Sequence, residues 1–302
     1  MMWLTVSVIA YVLLAFVFLF DKYLITKVEI RPRVLAFTIG FFGILVFFLI
    51  PFVGFSFPPL FQFWLAIAAG AMFTIGIFWN FKGLQKYEAS RIVPAIGGLV
   101  PLFSFILIFL ISGGKETLAA KELAAFLLLL AGTVFITLEP GKSSILKSMR
   151  IAVVAAFFFA LFFVLSKYAY EGQGFWSPFI LMRVGGFAAA LFFLKSREVQ
   201  DAFFGREKVW QQKKTVGLFA ASSAMAVVAS VLLSVAVFLA PIAAIPLINA
   251  LQGVQYVFLL LLVTLLSLFA PRIIKETVSK RILWQKTISV FLIIIGLALL
   301  AA

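Results

Sequence analysis

The stretch YEASRIVPAIGGLVPLFSFILIFLISGGKETLAAKELAAFLLLLAGTVFITLE, residues 87–139, decides the fold. It opens an apolar run with a proline (Ile92-Val93-Pro94), turns through Lys115-Glu116-Thr117, and closes on an apolar run with one glycine, Gly132. A related stretch, Phe238 to Leu300, repeats that order with Ile245-Pro246-Leu247, Lys275-Glu276-Thr277 and Gly296. The spacing between matched residues grows from 152 to 160 to 164 along the chain. A solenoid keeps a fixed period, so the drift reads as two diverged halves of one fold. Two similar apolar halves in 302 residues point to a membrane transporter.

Composition says the same. Hydrophobic residues make up 65% of the chain and charged residues 12%, against roughly 25% charged in a soluble domain. Lipid is therefore the expected solvent for most of the surface. There is no cysteine, which removes disulfides and thiolate metal sites, and no histidine, which removes the commonest general base and metal ligand. The net charge of +14 does not signal nucleic acid here. Its cations lie between apolar runs, where membrane topology and anionic headgroups account for them.

A helix needs about 20 apolar residues to cross a bilayer. Runs at 2–20, 34–53, 61–81, 92–111, 122–138, 151–169, 176–194, 215–239, 243–269 and 284–301 qualify within a few residues. The first lacks the basic flank of a signal peptide and is read as a retained helix. The expected fold is all-α and integral to the membrane, with ten transmembrane helices. The first five-helix repeat is 1–140, a linker covers 141–150, and the second repeat is 151–302. An odd number of spans per half forces opposite insertion, so the repeats are inverted. The polar segment 195–214, with Val199, Phe203, Val209 and Trp210, reads either as an amphipathic helix in the headgroup plane or as a soluble loop.

Loop charges orient the chain. Of 25 Lys and Arg residues, 21 fall in odd-numbered loops, three (Lys115, Lys121, Lys167) in even-numbered ones, and Arg183 inside a span. The bias puts odd-numbered loops in the cytoplasm and both termini outside.

Ala89-Ser90-Arg91, Pro94, Pro101-Leu102-Phe103, Glu116 and Gly132 together resemble the EamA family of the drug/metabolite transporter superfamily. The second half repeats the pattern more loosely through Pro246, Glu276 and Gly296, and Lys22 and Lys167 each end the first helix of a half. The resemblance spans nearly the whole chain. It implies ten helices in inverted repeats around a central cavity, alternating access, and export of amino acids, metabolites or drugs. The chain departs from the pattern by eight extra residues between proline and glutamate in the second half. Many relatives are also drawn with both termini in the cytoplasm, opposite to the charge count.

Candidate solute-binding residues follow from polarity inside spans. Pro94, Pro101, Pro241 and Pro246 lie in or beside the fourth and ninth spans, where they either free carbonyls for a solute or merely kink the helix. Asn249, Gln252 and Tyr256 share a narrow arc at helical spacing and either line a cavity or bond a neighbouring helix; Gln255 lies outside that arc. Phe73, Gly76 and Asn80 share a face with Trp79 beside them, which suits an aromatic or apolar solute body or an interfacial tryptophan. Ser223, Ala226, Ser230 and Ser234 make a small-residue stripe suited to close helix contact. Arg183 is the charge well inside a span, placed to meet a carboxylate or phosphate or to reach the headgroups. Glu116 and Glu276 are expected to cap the helices that follow them.

The expected function is alternating-access export of small metabolites across the plasma (inner) membrane. A lipid or lipid-linked sugar translocator is the alternative. A membrane-embedded enzyme is disfavoured, because no acid–base or metal cluster is visible at membrane depth. No cofactor or metal is expected. The expected partners are the solute and the bilayer, with the chain a monomer or homodimer. Small multidrug resistance relatives carry a glutamate in the first helix; the run Trp3–Phe20 has none. Facilitated diffusion or exchange is therefore expected rather than drive through a buried carboxylate.

Overall fold

Long apolar runs flanked by Lys, Arg, Gly and Pro fold as long helices. The computed structural model describes residues 2–27, 30–87, 89–135, 145–204, 213–269 and 280–301, and these contain helices and turns but no strand. The helices are α1 (Met2–Lys27), α2 (Pro32–Phe42), α3 (Ile50–Val53), α4 (Leu60–Lys86), α5 (Ala89–Ile111), α6 (Ala120–Phe135), α7 (Ile145–Tyr170), α8 (Trp176–Phe193), α9 (Arg197–Phe204), α10 (Lys213–Leu239), α11 (Ile245–Ala250), α12 (Gln252–Phe269) and α13 (Lys280–Ala301).

Among the described residues, seven helical spans are long and apolar enough to cross a bilayer: 2–21, 32–53, 60–86, 149–170, 176–193, 216–239 and 242–259. The expected spans at 92–111, 122–138 and 284–301 correspond to α5, α6 and α13. Two of these keep shorter apolar stretches, Ala95–Ile111 and Thr287–Leu300. Phe48, Phe52, Phe57 and Phe61, around the α3–α4 connection, are each at least 70% exposed. Water would not tolerate such a patch without aggregation, whereas lipid does.

Local chemistry ends the helices. After α5, Gly113 and Gly114 adopt φ of 61° and 78°. Their N–H groups return to the carbonyls of Leu110 (3.3 Å) and Phe109 (2.8 Å), a Schellman closure that glycine permits. Glu122, not Glu116, then serves the start of α6: its Oε2 accepts the Ala119 N–H at 2.9 Å. Glu116 sits too early in the turn, and its own N–H donates to Ser112 Oγ at 3.2 Å. Glu276 lies outside the described residues.

Two expected single helices are interrupted. Between α2 and α3 the backbone tightens to a 3₁₀ stretch, Gly43–Leu49, ahead of Pro51, which has no N–H to offer the preceding turn. The ninth span, 243–269, opens in the 3₁₀ turn Ile242–Ala244 that follows Pro241, continues as α11 and breaks at Leu251. Pro246 stands in the first turn of α11, where its missing N–H disrupts nothing. α5 stays continuous through Pro94 and Pro101, so neither proline breaks the span.

α4 packs on α7 and α8, and α1 packs on α10 and α12. α5 meets α7 and α11, α6 meets α13, and α2 lies against α4 and α8. Part of the polar segment does fold as the short helix α9, with its apolar side against the protein. Its Val199 and Ala202 are buried, Phe203 meets Phe37 of α2 edge-on at 5.1 Å, and Glu198 pairs with Arg33 at 3.2 Å. Its apolar side thus faces α2. Val209 and Trp210 lie outside the described residues.

Candidate functional site

Glycine builds the site by letting backbones touch. A methyl group on Gly70 of α4 would overlap the Met182 carbonyl, and one on Gly185 of α8 would overlap the Ile67 carbonyl. A methyl group on Gly40 of α2 would lie 2.7 Å from Ala190 Cβ and 2.9 Å from the Gly186 carbonyl oxygen. Small residues of this kind drive helix association in lipid, where apolar burial alone gives no preference. Thr74 Oγ1 lies across this seam, 3.3 Å from both the Gly70 and Gly186 carbonyls, and donates there.

One turn from the seam, α8 presents Arg183. Its guanidinium carbon lies 4.8 Å above the Phe179 ring, one turn earlier on the same helix. Its Nη2 donates to Ser230 Oγ of α10 at 3.1 Å, and Ser230 donates in turn to the Val227 carbonyl at 2.9 Å. Among the described residues no carboxylate lies within ion-pair distance of Arg183. A charge at this depth costs on the order of 3 kcal/mol on insertion scales, and the neighbours described here supply only a ring face and a hydroxyl against it.

Arg183 borders a cavity that Gly43, Phe73, Phe162, Phe179 and Ser234 help to line. Its free space is about 20 Å³, room for a single water. Beside it lies Tyr170, the last residue of α7, with its ring stacked on Phe175 at 5.6 Å and 9°. The Tyr170 hydroxyl is buried, faces the Ser234 hydroxyl and lies within electrostatic reach of Arg183.

Of the candidates read from sequence, Arg183 and Phe73 line this cavity. Ser234 of the small-residue stripe does so too, whereas Trp79, Asn80, Pro101, Pro246, Asn249, Gln252 and Tyr256 do not. Asn249 Nδ2 donates to Ser104 Oγ of α5 at 2.7 Å, and the Tyr256 hydroxyl donates to the Val93 carbonyl at 2.9 Å. Both side chains are buried against α5, so the neighbouring-helix alternative describes them. The arc they share with half-buried Gln252 is also interrupted by the break at Leu251. Gln255 donates to the Leu14 carbonyl of α1 at 3.4 Å. Trp79 carries the Lys82 ammonium 4.1 Å over its ring, and half-buried Asn80 stands beside it, about two turns along α4 from Phe73. Pro101 and Pro246 are buried in helices, and the Pro94 side chain lies outside the described residues.

Tyr170 and Thr74 escaped the sequence reading, whereas Ser230 and Ser234 entered it as part of a small-residue stripe read as close helix contact. The two serines do belong to a stripe at fourfold spacing. That stripe suggests close packing, yet Ser230 instead meets an arginine and Ser234 a cavity. Tyr170 ends an apolar run and carried no signal. Lys167, read only as a topology marker, donates to the Phe238 carbonyl at 3.2 Å, in the last turn of α10, where the helix dipole favours a cation.

No family model matches the sequence, and no curated protein does. Among the solved structures that match, one is similar in fold along almost the whole chain. The match has a TM-score of 0.65 and 17% identity, over 98% of this chain and 94% of the other. Shared fold is all that this likeness carries.

Proposed function

We propose that this protein is an alternating-access transporter that exports small metabolites across the plasma membrane, built from ten transmembrane helices in two inverted five-helix repeats. The reading rests chiefly on the cavity. It holds an arginine at membrane depth that pairs with no carboxylate among the described residues, and is walled by α2 and α4 of the first half and α7, α8 and α10 of the second. A solute site between repeats is what rocking-type transport requires.

Reciprocal contacts support the repeats. Asn249 meets Ser104, and Gly97 meets Tyr256; each of Asn249 and Tyr256 stands 152 residues beyond its counterpart, Gly97 and Ser104. Gly132 meets Ser289 and Ile293 of α13, while Gly296 meets Ala125 and Leu129 of α6, each counterpart now 164 residues away. Contacts that exchange in this way are those of a two-fold axis. The larger pairings follow: α4 on α7 matches α10 on α1, and α5 on α7 matches α12 on α1. Together with the 21-to-3 charge split, this supports odd-numbered loops in the cytoplasm.

The test is a metabolite-wide thermal-stability screen of the purified protein, followed by uptake assays in proteoliposomes with every solute that stabilises it. Uptake above protein-free liposomes is expected for at least one. If no stabilising solute crosses the liposome membrane, transport fails as the reading.

A further inference from the structure

We propose that Arg183, Tyr170 and Ser234 bind an oxyanion, the carboxylate or phosphate group of the transported molecule. The inference rests on the transport reading and narrows it to anionic or zwitterionic solutes.

A guanidinium and two hydroxyls meet here with no carboxylate among the described residues beside them. A guanidinium offers five N–H donors and accepts nothing. Ser230 takes one of them, Phe179 covers one face, and no carboxylate among the described residues approaches it. The Tyr170 side chain is buried, with Ser234 beside its hydroxyl and Arg183 within electrostatic reach. Ser234 lies between that hydroxyl and the cavity that Arg183 lines. A guanidinium with open donors, lining the cavity with Ser234 and backed by Tyr170, calls for oxygen acceptors, and its planar fork favours the paired oxygens of a carboxylate or phosphate. The adjoining Phe73 and Phe162 rings, 5.0 Å apart, suit the apolar remainder of such a molecule.

The cavity as it stands admits about one water, so an oxyanion enters only when a wall withdraws. The serine-bearing wall is α10, which packs chiefly along α1. Its Ser230 holds the guanidinium by one hydrogen bond. Release of that bond frees Arg183 to receive the anion, so Ser230 occupies the guanidinium in the empty protein.

The experiment uses the full chain in neutral phosphatidylcholine nanodiscs. Unfolding midpoints are measured against acetate, benzoate and inorganic phosphate, with chloride at matched ionic strength as reference. At least one oxyanion should raise the midpoint saturably. Arg183→Gln should weaken that apparent affinity by at least about tenfold, Arg183→Lys less, and Tyr170→Phe measurably. Stabilisation by added phosphatidylglycerol instead of free anions would support the site and assign the oxyanion to a lipid headgroup. The proposal is overturned if no oxyanion or anionic lipid outperforms chloride, or if Arg183→Gln keeps the wild-type response. Should Arg183→Gln fail to fold, unchanged affinity in both Arg183→Lys and Tyr170→Phe overturns it equally. Uptake of a neutral solute without any oxyanion response would sink this site and leave transport standing. Oxyanion binding by a protein that moves no solute would do the reverse.

Discussion

Gly132 and Gly296 sit at reciprocal positions where α6 crosses α13. A methyl group on Gly132 would lie 2.7 Å from Ile293 Cγ1 and 3.0 Å from the Ser289 carbonyl; one on Gly296 would lie 2.9 Å from Leu129 Cγ and 3.2 Å from the Ala125 carbonyl. Each glycine therefore does for the other helix what its counterpart does for it. Replacing either with valine should destabilise by about 1–3 kcal/mol through overpacking, and the two losses should be similar. Thermal unfolding in detergent measures both. A loss at one site only would argue against a shared axis.

The seam between α4 and α8 is less forgiving, because the opposing atoms are backbone. Gly185→Ala should lower the unfolding midpoint markedly. Gly217→Ala, whose added methyl meets open space, should leave the midpoint unchanged or raise it slightly through helix propensity. Equal behaviour of the two variants would mean that the seam does not hold α8 in place.

The Asn249–Ser104 hydrogen bond joins α11 to α5 in a buried layer where Asn249 Oδ1 is itself unpartnered. A double-mutant cycle with Asn249→Ala and Ser104→Ala should give a coupling of roughly 0.5–2 kcal/mol, in the range of hydrogen bonds between membrane helices. Additive losses would show that the bond adds nothing beyond packing.

Orientation is open to direct labelling, since the chain has no cysteine of its own. With odd-numbered loops inside, Gly113→Cys should react with a membrane-impermeant thiol reagent in intact cells, and Ser196→Cys should not. The opposite pattern would invert the assigned topology.

Energy coupling turns on carboxylates within helices. α1 continues six residues past Asp21, so this side chain lies inside the helix rather than at its end, and its Oδ1 accepts a hydrogen bond from Ser222 of α10 at 3.1 Å. Glu88 and Glu139 lie outside the described residues. The expected mode remains facilitated diffusion or exchange. A pH gradient across proteoliposomes, without a solute gradient, should not concentrate solute, and Asp21→Asn should transport like wild type. Accumulation lost in Asp21→Asn would identify a proton-coupled carrier and its coupling residue.

Much of the architecture was readable from residues alone. Apolar runs of membrane length, glycine pairs such as Gly113-Gly114 and basic flanks each act locally, so the helices lie where those signals put them. The candidate site was readable only in part. Arg183 announced itself because a charge inside an apolar run needs an explanation. Tyr170 did not, and Ser234 showed only as part of a small-residue stripe, because their meeting depends on how α7 and α10 pack, which no local pattern encodes. Asn249 and Tyr256 stayed ambiguous for the converse reason, and both bond α5. A polar side chain within a span satisfies itself on a neighbouring helix as readily as on a solute, and helical periodicity cannot tell the two apart.

The glycine seam also decides what can move. With their backbones in contact at Gly40, Gly70, Gly185 and Gly186, α2, α4 and α8 form one stiff plank. α10 has no such interlock with α8. It ends in a bend at Ala240, Pro241 and the 3₁₀ turn Ile242–Ala244. That makes it a lever with its fulcrum at the proline, latched to the plank by the bond from Arg183 to Ser230.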